Sequence, residues 1–571
     1  MKGVTMMRGW SVAVAACVFG AAIGAGAQAS EANPVTIRID ASKNVGAYTP
    51  IYSWFGYDEA NYTTAANGKK LLGELHDLSP VPVYIRAHHL LTTGDGVPDL
   101  KWSSTNVFTL DANGKPVYDF RILDGIFDAY KAAGVRPMVE LGFMPEALAE
   151  KIPSRKNQPY RGPFPGNVLS GAVMNPPKDY ALWGSLVEHV MQHWIARYGA
   201  DDVKTWYFEV WNEPNLEYWH GTPAEYYKLY DFTSAAVKRA LPEARVGGPA
   251  STGPGSQQAY DFLKGFFEHV RDSKSAATGG AVPLDFISFH AKGRPKFIDN
   301  NVTMGINKEI EDVDRGFSLI ASFPKFAKLP IILSEADPEG CAGCSSKTNP
   351  ANNYRNGTLY PAYTAAAYAR LFELADKYKV NLISMLSWSF EFEDRESFEG
   401  FRELATNGVD KPVLNFFRMA GKMSGERVQV ASSGAVPMDT IRETGVRAEP
   451  DVDALATKDA HRLSIMAWNY QDTISQDRPL PVQLLVQGLP ADAKQVKVRE
   501  WRLDDKTSNA YTAWQAMGSP AHPNAEQSAE LQKTGQLQEF GKPFEAQVTD
   551  GHAQVEETLP GESVSLFELT W

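Results

Sequence analysis

Apolar positions along the chain change period near residue 425, and that change divides the molecule in two. Before it, short runs rich in β-branched and aromatic residues alternate with longer stretches whose apolar residues recur at helical spacing. The short runs are PIYSWFGYD, VPVYIRAHH, VRPMVELGF, TWYFEVWNEP, ARVGGPA, LDFISFHAK, PIILSEAD and NLISMLSWSF. Between them lie amphipathic segments such as DYALWGSLVEHVMQHWIARY and YPAYTAAAYARLFELADKY. Eight strand–helix units over residues 46–424 predict an α/β fold, a (β/α)8 TIM barrel, whose function sits at the C-terminal ends of the strands. After the change, RVQVASSG, HRLSIMAWNY, LPVQLLVQ, KQVKVREWRL and ESVSLFELTW alternate with period two, predicting an appended β-sandwich domain over residues 425–571. NPVTIRID, within residues 30–45, is a candidate partner strand for that domain. SPAHPNAEQSAELQKTGQLQEFGKP is polar and partly helical, and reads as an insertion.

The N-terminus has Lys2 and Arg8, an apolar run, and then Ala27-Gln28-Ala29, the pattern of a signal peptide over residues 1–29 cleaved after Ala29. The expectation is an exported protein, periplasmic or secreted, with a lipoprotein box ending at Cys17 as the lesser alternative. No later segment is long enough to span a bilayer. Beyond the signal only Cys341 and Cys344 remain; in an exported chain their Cys-x-x-Cys spacing points to a local disulfide. Zinc would need two further ligands, and no histidine stands nearby. A net charge of −12 without a basic stripe argues against nucleic acid or an anionic membrane as the main partner. Thirteen tryptophans and 23 tyrosines offer flat faces suited to sugar rings, so a small-molecule or oligosaccharide substrate is the natural partner.

The stretch WYFEVWNEPN, Trp206 to Asn215, sets two glutamates in a strand that stops at Pro214. Alternation would put Glu209, Trp211 and Glu213 on one face and Asn212 on the other. Burying an unpaired carboxylate costs several kcal/mol, so such a glutamate needs a partner or a chemical task. Glu335, closing the apolar run IILSE on the seventh strand, is that partner: in a barrel its strand faces the fourth across the mouth. Glycoside cleavage with retention uses two carboxyl groups about 5 to 5.5 Å apart, one as acid/base and one as nucleophile. Glu209 lies deeper and reads as a structural, hydrogen-bonded carboxylate. No Gly-x-Ser-x-Gly elbow, phosphate loop or dinucleotide fingerprint points to another chemistry.

FEVWNEPN, FGYDEANYT, YIRAHHLL, VELGFMPEALA, VGGPAS, FISFHAKG, SEADP and SWSFEFED together resemble glycoside hydrolase family 39 over residues 45–425. That family contains retaining β-D-xylosidases and α-L-iduronidases, and the resemblance implies Glu213 as acid/base and Glu335 as nucleophile, with no metal and no cofactor. It further implies Asn212 as donor to the sugar 2-hydroxyl, His88 and His290 as subsite contacts, and Trp388 and Phe390 as an aromatic floor. Glu391, Glu393 or Asp394 would meet outer hydroxyls, while Tyr57, Asp58 and Glu59 match a stretch near the mouth that is either structural or in contact. HAKG, EADP and EGFREL look more like the iduronidase side, where Lys292 and Arg402 would hold a uronate. The exported context favours a β-xylosidase, with an iduronidase-like enzyme and a non-catalytic carbohydrate-binding protein as the alternatives.

Overall fold

The computed structural model describes residues 33–151, 171–341, 343–473 and 478–571; the expected signal peptide, its cleavage after Ala29 and Cys17 lie outside them. Seven parallel strands follow one another around the barrel: Trp54–Tyr57, Tyr84–Ala87, Arg136–Leu141, Tyr207–Val210, Arg245–Ser251, Phe286–Lys292 and Pro330–Asp337. The eighth is in two pieces. Asn381–Met385 pairs with the seventh strand, and Ser387–Trp388 pairs with the first, so the break at Leu386 hands the chain between neighbours and closes the ring. Leu386 bridges the gap by donating to the Leu333 carbonyl and accepting from the Ala336 amide.

Period-two alternation sorts the side chains into layers. Outward residues such as Phe55, Ile85, Val139 and Phe208 pack beneath the surrounding helices, while Trp54, Met138, Tyr207, Phe286, Ile332 and Trp388 form a separate cluster that fills the barrel. Above this plug come charged residues, and that order places the site at the C-terminal mouth. Close packing explains Gly247 on the fifth strand, where a Cβ would stand 2.2 Å from the Phe286 carbonyl oxygen.

The β-domain is one mixed ten-stranded sheet. Val35–Ala47 lies within it, antiparallel to Glu426–Ser432 and parallel to Leu480–Gln487. The sheet curls until residues from distant strands, Val498 and Ala546 with Val482 and Val555, share one apolar cluster. The strand Arg462–Tyr470 is buried almost throughout because both of its faces are covered. Ile465 and Ala467 enter the sheet's own core, whereas Met466, Trp468 and Tyr470 join the core of the barrel. Among the described residues no helix is long and apolar enough to cross a membrane.

The helix Leu359–Tyr378 is wedged between barrel and sheet, which is why most of its twenty residues are buried. Arg370 in that helix donates to Asp451 at 2.9 Å and Asp453 at 3.0 Å, and the Trp468 indole N–H donates to Asp451 at 2.9 Å. Removing the cation would strand two buried carboxylates. Arg370→Ala should therefore destabilise the protein by about 3–5 kcal/mol, read from denaturant unfolding. A loss below about 1 kcal/mol would mean that the junction does not depend on this ion cluster.

Candidate active site

A guanidinium in the middle of the barrel organises the mouth. Arg86, on the second strand, is fully buried, and its Nε donates to Glu209 Oε2 at 2.5 Å. Nη2 lies 2.9 Å from Glu140 Oε2 and donates to Asn212 Oδ1 at 3.0 Å, while Nη1 donates to Glu335 Oε1 at 3.2 Å. One cation thus joins the second, third, fourth and seventh strands. Glu209 is the structural carboxylate expected from its depth. Because the Asn212 oxygen accepts from Arg86, its NH2 remains as the donor end of that amide.

Glu213 and Asn212 reach the site by a route that strand alternation does not describe. The fourth strand ends at Val210, and both Trp211 and Glu213 have left-handed backbones, with φ of 71° and 44°. The turn sends the Trp211 indole away to the Tyr218 carbonyl, at 2.9 Å, so Trp211 and Glu213 do not share a face. Glu335 is also re-aimed. A register irregularity between Leu333 and Glu335 sets Glu335 opposite His290, and Asp337 opposite Lys292.

His290 stands between the two glutamates. Its Nδ1 is 2.9 Å from Glu213 Oε1 and its Nε2 is 3.9 Å from Glu335 Oε1, so the carboxyl groups flank a single imidazole. Glu335 Oε2 accepts from Lys292 Nζ at 2.6 Å. Burial works against its charge, but Lys292, His290, His88 and Arg86 outweigh burial and hold this carboxyl well below the usual range. Lys292 also donates to Asp337 Oδ1 at 2.8 Å, and Arg402 clamps Asp337 through two N–H groups. The loop beyond is tied down by a Cys341–Cys344 disulfide and by Arg355, which donates to the carbonyls of Cys341 and Cys344 at 2.7 and 2.9 Å.

Among the other residues singled out from sequence, His88 and Trp388 join the group. The His88 ring is 4.3 Å from Trp388, whose indole lies over Gly56 so closely that a Cβ there would meet it at 2.4 Å. Phe390 is stacked on Tyr57 with centroids 3.9 Å apart. Glu391 is buried against the Gly408 amide, and Glu393 accepts from the Asn67 amide at 2.7 Å. With Asp394, Glu393 lines a small rim pocket shared with Tyr62, Pro98 and Arg395. Arg402 is 1% exposed and turned to Asp337 rather than to open space. Sequence reasoning missed Lys101, whose Nζ is 3.6 Å from Asp58 Oδ2; it sits in a polar loop without periodic signal. Among the described residues no group of three or more His, Cys, Asp or Glu side chains is placed to hold a metal ion.

The profile of glycosyl hydrolases family 39 matches residues 76–549. The chain belongs to glycoside hydrolase family 39. It is similar to a β-xylosidase of Geobacillus stearothermophilus, 29% identical over 495 residues that cover 85% of this chain and 86% of the relative. It is also similar to an α-L-iduronidase of Mus musculus, 28% identical over 416 residues, 68% of this chain and 61% of that one. The solved structure of a monomeric β-xylosidase from Caulobacter crescentus CB15 has the same fold, with a TM-score of 0.71 at 24% identity over 94% of this chain and 99% of that one. Family 39 is a retaining family, so this protein is a glycoside hydrolase of the two-carboxylate type.

Several buried acids near the family 39 site are tuned in opposite directions. Burial pushes Glu391 and Glu309 up to about 8. Folded, these groups keep protons that the unfolded chain has already released, so stability falls as pH rises from the ordinary carboxyl range through about 8. Glu335 and Asp58, both held low, act in the opposite sense: their contribution is present above the unfolded carboxyl range and is lost in acid. Tm should therefore be higher near about pH 5 than near about pH 8. Glu391→Gln, which keeps an acceptor for the Gly408 amide, should lose less on going to the higher pH. An identical pH profile for variant and wild type would refute a protonated Glu391.

Proposed function

We propose that this protein is a retaining β-xylosidase, releasing β-D-xylose from xylo-oligosaccharides or aryl xylosides by double displacement. The observation that carries the reading is the pair Glu213 and Glu335 on either side of the His290 ring. Glu335, held charged, attacks the anomeric carbon as Glu213 gives its proton to the departing glycosidic oxygen. Glu213 then takes a proton from water, and the hydroxide attacks from the face that the leaving group left, opposite Glu335, breaking the bond to Glu335 so that two inversions retain the configuration. The Asn212 amide donates to the 2-hydroxyl as charge develops on the ring, a bond that strengthens in the transition state. A neutral sugar suits this site because Lys292 and Arg402 are both committed to carboxylates of the chain itself.

An α-L-iduronide is the second reading. Its ring has the configuration of a β-D-xyloside from C1 to C4 and adds a carboxylate on C5. What favours it is that Lys292 and Arg402 stand beside Glu335, at 2.6 and 3.9 Å from Oε2, where such a carboxylate could exchange with Asp337.

Three measurements test the assignment. Glu213→Ala should reduce turnover of substrates with poor leaving groups far more than of activated aryl glycosides, with azide restoring the second step; equal losses on both would sink its acid/base role. A 2-fluoro glycoside with a good leaving group should label Glu335, and a label on another residue would refute the nucleophile. The ratio of kcat/KM for aryl β-D-xyloside to aryl α-L-iduronide should favour the xyloside; a ratio about tenfold or more in the other direction, about 1.4 kcal/mol, would establish the uronide reading.

A further inference from the structure

Asp58 follows the first barrel strand, is 2% exposed, and takes no part in the two displacement steps. Its Oδ1 lies 2.7 Å from His88 Nδ1. Its other oxygen faces the Trp388 indole N–H at 3.5 Å and Lys101 Nζ at 3.6 Å. The opposite nitrogen of the ring, Nε2, is 3.0 Å from Glu140 Oε2 and 3.5 Å from Glu335 Oε1. A carboxylate bonded to one imidazole nitrogen fixes the ring's orientation and favours its charged form, in which the other nitrogen also donates. A single ring therefore carries the position of the first strand across to the reacting carboxylate on the seventh.

We propose that Asp58 is a positioning residue for the reaction: it anchors the His88 ring so that Nε2 faces the Glu335 carboxylate and holds it ready for attack. This rests on the reading of Glu335 as nucleophile.

The charges around His88 come from several elements. Asp58 follows the first strand, Arg86 lies on the second and His89 just beyond it, Glu140 lies on the third, Glu335 on the seventh, and the Trp388 ring packs on it from the eighth. Arg86 Nη1, 3.0 Å from Nε2, opposes a second positive charge there. Burial opposes it too. Glu140 and Asp58 outweigh both and raise His88 to about 9, so the ring is charged across the neutral range.

The sign of a pH shift separates a role through the ring from a direct charge effect. Asp58 and Glu335 repel each other, so deleting the Asp58 charge through space alone would ease ionisation of Glu335 and move the acid limb of kcat/KM to lower pH. Acting through His88, the same deletion removes one of the two anions that favour the charged ring, and with it the carboxylate at Nδ1 that orients it. The ring is then less firmly charged and less firmly aimed at Glu335, which takes a proton more readily, and the acid limb moves to higher pH.

The test measures kcat/KM from about pH 2.5 to about pH 8, low enough to reach the limb of a carboxyl held below the usual range, for wild type and Asp58→Asn, on whichever aryl glycoside, xyloside or iduronide, the wild type hydrolyses. An acid limb raised by about one pH unit in the variant is the expected result, the size of an opposite charge lost at this range. A limb that is unmoved or lowered, with kcat reduced equally at every pH, overturns the proposal. His88→Gln with Asp58 intact gives a second reading, independent of how Asp58→Asn folds: it must show the same upward shift, and a wild-type limb there also overturns it. Labelling of the wild type with a 2-fluoro glycoside keeps the two failures apart. A label on another residue fails the assignment of Glu335, whereas a label on Glu335 with an unmoved limb fails the role of Asp58.

Discussion

Everything at the mouth of this barrel depends on one buried cation. Arg86 has no access to solvent, and a guanidinium in that position is tolerable only when its donors meet acceptors. The acceptors come from Glu140, Glu209, Asn212 and Glu335, on strands that the chain supplies far apart in sequence. Satisfying the guanidinium therefore pins the strand ends to one another. Loss of any one acid would leave a buried guanidinium donor without its acceptor, so the network constrains the fold and the chemistry together.

Around that centre the charges are distributed unequally, and the inequality does chemical work. Glu335 has Lys292, Arg86 and His88 about it and is held ionised, as a nucleophile requires. Glu213 meets the site from a left-handed turn, with His290 as its neighbour and more exposure than Glu335. A second ionic layer, Lys292 and Arg402 on Asp337, stiffens the strand just beyond the nucleophile, and Arg355 with the disulfide fastens the loop that follows. Such support limits how far the reacting carboxylate can drift, and small displacements at a reacting centre are costly.

The β-domain belongs to the same logic. Its strands present one face to their own core and the other to the barrel's outer helices, and the buried Arg370 joins the two with carboxylates from the sheet. The strand Val35–Ala47 lies in the sheet before the chain enters the barrel, so the catalytic unit is held at both of its ends.

Hydrophobic period alone determined a good deal. Eight apolar runs with intervening helices predicted a barrel, the shift to period two announced the sheet, and acids at the ends of the fourth and seventh runs named Glu213 and Glu335. These features are local, written in which residues must leave water. Tertiary structure alone decided where the remaining side chains were spent. Phe390 went to Tyr57, Glu391 to the Gly408 amide and Arg402 to Asp337, and Lys101 arrived beside Asp58 from a loop with no pattern. The left-handed turn at Trp211 and the register shift before Glu335 are invisible to alternation, because each breaks the regular backbone on which alternation rests. Which polar group meets which depends on contacts between residues hundreds of positions apart, and a buried charge selects its partner by distance, which the chain acquires only on folding.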